Sequence, residues 1–344
     1  MTAAASRRRI PSWLPQVVGY GLSAGSLFWV LHGYPLNELL PNIRSLEWRW
    51  VAFAVVTDLS VYVVHGWRWN TLLFPVARLG FWTTVQSIYI GLFANEVLPL
   101  RVGEVIRCYL MAHWNNLRLS LAFASAAVER IIDAFWLLLM FVIAADFIKR
   151  LPHDPEAARF EQQLSVFVWI VAAVVLFAVA VLCWIVIRKH HAHPVLRESR
   201  SAATVRHVIE GLQLMGNVRT LFFTSIISLL YMALQCLFVY ALMRAYGFDL
   251  SFWAATGLLT IVRFSTVVPN APGNLGLLNF GVVFALRLFE VETNDAKTFS
   301  LIFYVVQTFP LLLGGALATA LTGLNISELR DRARQHSKTV HAEQ

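Results

Sequence analysis

The chain has 344 residues, of which 58% are hydrophobic and 14% charged, with a mean hydropathy of +0.62. That is the composition of an integral membrane protein, and its long apolar runs exclude a barrel, whose strands alternate over short segments. The net charge of +8 does not imply nucleic acid, because the basic residues fall between apolar runs, as the positive-inside rule requires; it implies attraction to anionic lipid heads.

In chain order, Arg7, Arg8 and Arg9 precede an apolar run from Trp13 to Leu31. The run is too long for a signal peptide and lacks a small-x-small cleavage site, so an uncleaved first helix with a cytoplasmic N-terminus is expected. The loop Gly33 to Glu47 holds Pro35, Pro41 and room for a short interfacial helix. The second helix runs from Trp48 to Trp67, with tryptophans at its ends as interfacial anchors. Asp58 lies near its middle, either tied to a neighbouring helix or functional.

Two shorter apolar segments follow, Phe81 to Leu98 and Val102 to Ala112. Between and beside them stand Asn95, Pro99, Arg101, Gly103, Glu104 and Arg107. Neither segment reaches the roughly 20 residues a span needs. The pattern predicts a helical hairpin that enters the membrane and turns back. Broken backbone at membrane depth survives only where protein or water surrounds it. Charges there point to a substrate site, since burial without use is costly. On the helix after Pro99, residues 101, 104 and 107 are three apart and share a stripe.

A long helix, Leu119 to Phe147, carries Glu129, Arg130 and Asp133 on one broad face. A local ion pair accounts for Arg130 and one acid; the other acid needs a partner, with Arg101 and Arg107 the nearest candidates. A mixed-charge loop then leads to a clean span, Leu164 to Ile187. The connector Arg188 to Thr220 is the most basic. Within it Ala202, Val205, Val208, Ile209, Leu212 and Met215 recur at helical spacing, so residues 196–219 are expected to lie on an anionic membrane surface. His190, His191 and His193 have no carboxylate or cysteine beside them and read as a solvated basic turn rather than a metal site. Cys108, Cys183 and Cys236 lie in or beside apolar runs and form no disulfide or metal pattern. No cofactor is expected.

Leu221 to Tyr246 spans again, with Gln235 near its centre. Phe252 to Val268 contains Arg263 and ends in a second break that includes Pro272, Gly273 and Gly276. Leu277 to Phe289 follows with Asn279, and Thr298 to Leu321 closes the membrane region with Gln307 and Pro310 inside. Residues 1–324 are therefore expected to be one membrane domain and 325–344 a short cytoplasmic tail.

The two breaks have matching surroundings: a full span and a short segment before each, then a short segment and a full span after. Paired, Pro/Gly-interrupted segments point to a transporter binding site. With both broken pairs treated as re-entrant, six full spans remain, and 16 Lys and Arg fall inside against six outside. The expected fold is thus all-α, with six transmembrane helices and two re-entrant hairpins in an inverted repeat, both termini cytoplasmic. Two full crossings per pair would keep the same parity.

The motifs Asn95-x-x-Leu98-Pro99-x-Arg101-x-Gly103-Glu104-x-x-Arg107 and Glu129-Arg130-x-x-Asp133 resemble the membrane domain of lysylphosphatidylglycerol synthases and the stand-alone flippase-like proteins related to it. Val268-Pro269-x-x-Pro272-Gly273-x-Leu275-Gly276 is similar to that family's second Pro-Gly signature. The resemblance implies movement of lipids, often anionic or with modified head groups, between leaflets of the cytoplasmic membrane, without the aminoacyl-transferase domain of the synthases. It departs at Asn279, where the family often has Glu, and at Tyr304, where it often has His or Arg.

Two functions compete. In a lipid translocase, Arg101 and Arg107 hold a phosphate. Glu104 orients them. Asn95, Pro99, Arg263, Pro272, Gly273, Gly276 and Asn279 line the site, and Asp58, Glu129, Arg130, Asp133 and Gln307 couple to it. In the alternative, the protein is an enzyme or a non-catalytic subunit of lipid or lipid-linked saccharide synthesis, with a lipid-synthesis enzyme as partner. The chain has no metal-ligand pair, Ser/His/Asp set or phosphate loop to support an enzyme.

Overall fold

The computed structural model describes residues 14–35, 39–98, 102–149, 217–266 and 271–323, with a few isolated positions besides. Pro99, Arg101, the 325–344 tail, all but isolated positions of the 164–187 span and all but Met215 and residues 217–219 of the 196–219 connector lie outside the described residues. Among the described residues the chain is helical, without strands. The helices are α1 (Leu14–Leu31), α2 (Leu39–Arg44), α3 (Trp48–Leu73), α4 (Phe81–Val97), α5 (Gly103–Trp114), α6 (Leu119–Lys149), α7 (Val218–Tyr246), α8 (Phe252–Ser265), α9 (Leu277–Leu288) and α10 (Thr293–Thr322). A single 3-10 turn, Pro272–Asn274, interrupts the second broken pair. Among the described residues three helices, α3, α7 and α10, are long and apolar enough to cross a membrane.

Local chemistry explains the boundaries. Ser251 caps α8 by accepting from the Ala254 amide at 3.2 Å, and Asn217 caps α7 by accepting from that of Arg219 at 3.2 Å. Gly247 ends α7 with φ of 93°, a left-handed conformation in which glycine carries no side-chain penalty. Leu98 is extended, with φ −103° and ψ 142°, as a residue before proline must be. One expected boundary needs correcting. The second helix does not stop at Trp67 but runs to Leu73, so Arg68 lies within it rather than beyond its end. It is completely buried.

The packing of α3–α6 is mirrored by that of α7–α10. Within the first set α3 packs on α4, α4 on α5 and α5 on α6; within the second, α7 packs on α8, α8 on α9 and α9 on α10. Across the sets α4 meets α10 just as α8 meets α6, α3 meets α10 as α7 meets α6, and α3 and α7 pack on each other at the centre. Glycine brings α4 and α5 close together. A Cβ on Gly91 would lie 2.7 Å from the Arg107 Cβ and 2.8 Å from the Gly103 carbonyl oxygen. Asn95 then accepts from the Gly103 amide at 2.8 Å, satisfying one of the donors that the start of α5 leaves unpaired. At the second break Gly276 has φ of 90° and sits against the Ser23 backbone of α1, while the Ser23 hydroxyl accepts from the Ala271 amide at 2.8 Å.

Candidate functional site

The site is built around α3. Asp58, Tyr62, His65 and Arg68 follow one another at spacings of four, three and three, so they form a polar stripe on one face of that helix. All four are buried. The helices packed on this face supply their partners.

Glu129 of α6, fully buried, is the hub. Its Oε1 accepts from Arg68 Nε at 3.2 Å and its Oε2 from Arg107 Nη1 at 3.1 Å. Arg68 continues to Asp133 through Nη1 and Nη2, a bidentate pairing, and its Nη1 also reaches the Ser228 hydroxyl of α7 at 3.4 Å. Its guanidinium lies 4.7 Å from the centre of the Tyr231 ring, and that of Arg107 lies 4.8 Å from the Trp69 ring. Both arginines thus have carboxylate on one edge and an aromatic face beside them, the combination a guanidinium tolerates when removed from water. Arg107 Nη1 is also 3.1 Å from His65 Nε2. Its Nε and Nη2 have no acceptor among the described residues.

Beside this network lies a cavity of about 330 Å³. Its wall takes Asn95 and Glu96 from α4, Glu104 from α5, and Arg130 and Asp133 from α6. Tyr231 of α7, Arg263 of α8, His65 of α3 and the second break from Ala271 to Asn274 complete it. Leu98 and Glu104, which flank the first break, and the second break therefore share one space. The second break also meets α4 and α10: a Cβ on Gly273, whose φ is 71°, would stand 2.8 Å from Glu96 Oε2 and 2.7 Å from the Tyr304 hydroxyl. In the wall, Arg130 is half exposed, with Nη2 3.5 Å from Glu104 Oε1 and Nη1 3.8 Å from Asp133 Oδ2. Arg263 donates through Nη2 to Gln235.

Of the residues expected from sequence, Asn95, Glu104, Arg130, Asp133, Arg263, Pro272 and Gly273 line this cavity. Glu129 and Arg107 sit behind it, buried in the ion network. The polar stripe on α5 is divided: Glu104 turns to Arg130, while Arg107 turns to Glu129. Asn279 is fully buried and does not line the cavity. Its carbonyl oxygen accepts from the Gly276 amide at 3.3 Å and its amide nitrogen donates to the Ser300 carbonyl at 2.9 Å, so it fastens the start of α9. Asp58 accepts from the Tyr62 hydroxyl at 3.4 Å, and neither it nor Gln307 or Gly276 is part of the wall.

Sequence reasoning overlooked His65, Arg68, Glu96 and Tyr231. The stripe on α3 is the available signal; ending that helix at Trp67 leaves Arg68 outside it. Among the described residues no cluster of His, Cys, Asp and Glu suits a metal ion, and Cys108 and Cys236 are free and buried.

Apolar helices of membrane length around a charged cavity define a multi-pass helical membrane protein. More narrowly, the chain belongs to the family described as the lysylphosphatidylglycerol synthase TM region, which matches residues 16–315. It is similar to a UPF0104 membrane protein of Methanothermobacter thermautotrophicus, at 24% identity over 89% of this chain and 92% of the relative. A UPF0104 membrane protein of Methanocaldococcus jannaschii is 19% identical over 68% of this chain and 96% of its own length. A shorter stretch, 28% of this chain and 16% of the relative, is 29% identical to the glycosyltransferase AglD of Haloferax volcanii.

Proposed function

We propose that the protein is a lipid translocase that moves an anionic or phosphate-bearing lipid between the leaflets of the cytoplasmic membrane. The observation that carries this reading is the single cavity walled by both broken pairs, with Arg130 contributed by one half and Arg263 by the other. Two guanidiniums lining one space suit a phosphate, which each can hold bidentately. The Glu104–Arg130 pair has side chains 42% and 50% exposed. Such a pair contributes only about 0–1 kcal/mol, so a phosphate displaces Glu104 at little cost. Arg101, next to the first break, is a further head-group contact, and Arg107 backs it from the buried network. In the membrane, the two broken pairs are re-entrant from opposite faces, six helices span, and both termini are cytoplasmic. The basic stretch 196–219 rests on the anionic surface.

The test is exchange of labelled phosphatidylglycerol between leaflets of reconstituted vesicles. The Arg130→Ala/Arg263→Ala double variant and Arg101→Lys should fold and lose exchange. Full exchange by the double variant refutes the cavity as the path.

The partial match to a glycosyltransferase favours a second reading, a role in making lipid-linked saccharides. Release of a sugar or phosphate product by the purified protein, without leaflet exchange, would favour it over translocation.

A further inference from the structure

His65 has no part in the reading above, yet it touches both the ion network and the cavity. It is 3% exposed and belongs to the cavity wall. Arg107 Nη1 is 3.1 Å from its Nε2. A guanidinium has only N–H donors, so Nε2 is the acceptor, and the ring in this arrangement is neutral with its proton on Nδ1. Glu129 Oε1 stands 3.6 Å from the same nitrogen. The hub carboxylate is thus within reach of His65 but already holds two arginines.

The groups that face the ring come from four helices. Arg68 comes from its own helix, Arg107 from α5, Glu129 from α6, and the Tyr231 ring of α7 is 5.4 Å away. Across the cavity stand Glu96, Glu104, Asp133, Arg130 and Arg263. Among the four charges bound directly to one another, Arg68, Arg107, Glu129 and Asp133, the sum is zero. A proton on Nε2 would break the bond from Arg107, redirect the ring to Glu129 and leave the network with an uncompensated positive charge. Away from water that charge is strongly felt. An anion in the cavity supplies the missing compensation.

We infer that His65 takes up a proton when an anionic head group enters the cavity, so that head-group binding and protonation at this ring are linked. The inference rests on the anion-binding reading of the cavity given above. His65 acts through the charge it presents and through its release of Arg107, which then has a donor to turn towards the cavity. Linkage is reciprocal: a proton that tightens anion binding is itself bound more tightly once the anion is present.

The experiment uses the full-length protein in detergent with dihexanoyl phosphatidylglycerol as the soluble probe. Calorimetric titrations in buffers of different ionisation enthalpy count the protons taken up. For the wild type, up to one proton is taken up per lipid bound. Its Kd weakens by up to about tenfold per pH unit as pH rises through the linked range. His65→Gln should bind more weakly, with no proton uptake and a flat pH dependence. In parallel, hydrogen–deuterium exchange at the histidine C2 position, read by mass spectrometry on the wild type, should show the titration midpoint of His65 rising when lipid is added. That measurement stands even if His65→Gln does not fold. Wild-type binding without proton uptake, uptake unchanged in His65→Gln, or an unmoved His65 midpoint each overturn the inference while leaving the anion site intact. A wild type that binds no phosphatidylglycerol overturns both.

Discussion

Replacing Arg68 by methionine tests whether the ion network holds the two halves together. Among the described arginines Arg68 alone pairs with both Glu129 and Asp133, and it also touches Ser228 and Tyr231 of α7. In Arg68→Met, Glu129 keeps Arg107 at 3.1 Å, but Asp133 retains only Arg130 at 3.8 Å, on a side chain half in solvent. Within the buried network Arg107 alone then remains for Glu129 and Asp133, with Arg130 only at its solvent edge. Removing one partner of a buried pair costs about 3–5 kcal/mol, because the other charge is left uncompensated. With an unfolding entropy of about 2.1 cal/mol/K per residue, that corresponds to a fall of roughly 4–7 °C in Tm for a chain of this size. The double variant Arg68→Met/Asp133→Asn restores one cation to one anion, so it should recover a large part of the loss. The assay is thermal unfolding of the four proteins of the cycle in the same detergent, followed by tryptophan fluorescence. A single variant as stable as the wild type, or a double variant whose loss equals the sum of the two single losses, would refute the pairing.

Other variants probe the remaining parts. Gly103→Ala places a Cβ 2.6 Å from Asn95 Oδ1 and hard against the Gly91 carbonyl, and forced overpacking of this kind costs about 1–3 kcal/mol; a Tm equal to the wild type would show that α4 and α5 are not this close. Asn95→Ala leaves the Gly103 amide without its acceptor, a loss of about 1–3 kcal/mol that Asn95→Asp should largely spare in the same thermal assay. For the membrane arrangement, a cysteine replacing Ala192 should react with an impermeant maleimide only from the cytoplasmic side, and one replacing Glu156 only from outside; labelling of position 192 from outside contradicts the inverted topology.

Much of the architecture was readable without coordinates. The short segments on either side of Pro99 and of Pro272–Gly276 appear as α4 with α5 and α8 with α9, and the short helix expected between Gly33 and Glu47 is α2. Hydropathy and helix breakers are properties of consecutive residues, so they survive in the sequence. The α3 boundary failed for the same reason read backwards. An arginine after an aromatic-flanked apolar run looks interfacial, and nothing nearby in the chain reveals that two carboxylates of α6 are waiting for it.

Hydropathy, helix breakers and charge placement establish on their own that the chain is a helical membrane protein, where its helices break, and which charged residues fall in apolar surroundings. How those charges are paired depends on the packing of the helices. It took Arg107 from the expected stripe into the core and left Glu104 to Arg130. It turned Asn279 to bracing α9, and it added His65, Arg68 and Tyr231 to the site. The reason is that helix periodicity sets which residues share a face, whereas a buried charge must find its counter-charge on whichever helix docks against that face. That docking depends on glycine contacts and shape across residues far apart in the chain, such as Gly91 with Gly103 and Gly276 with Ser23.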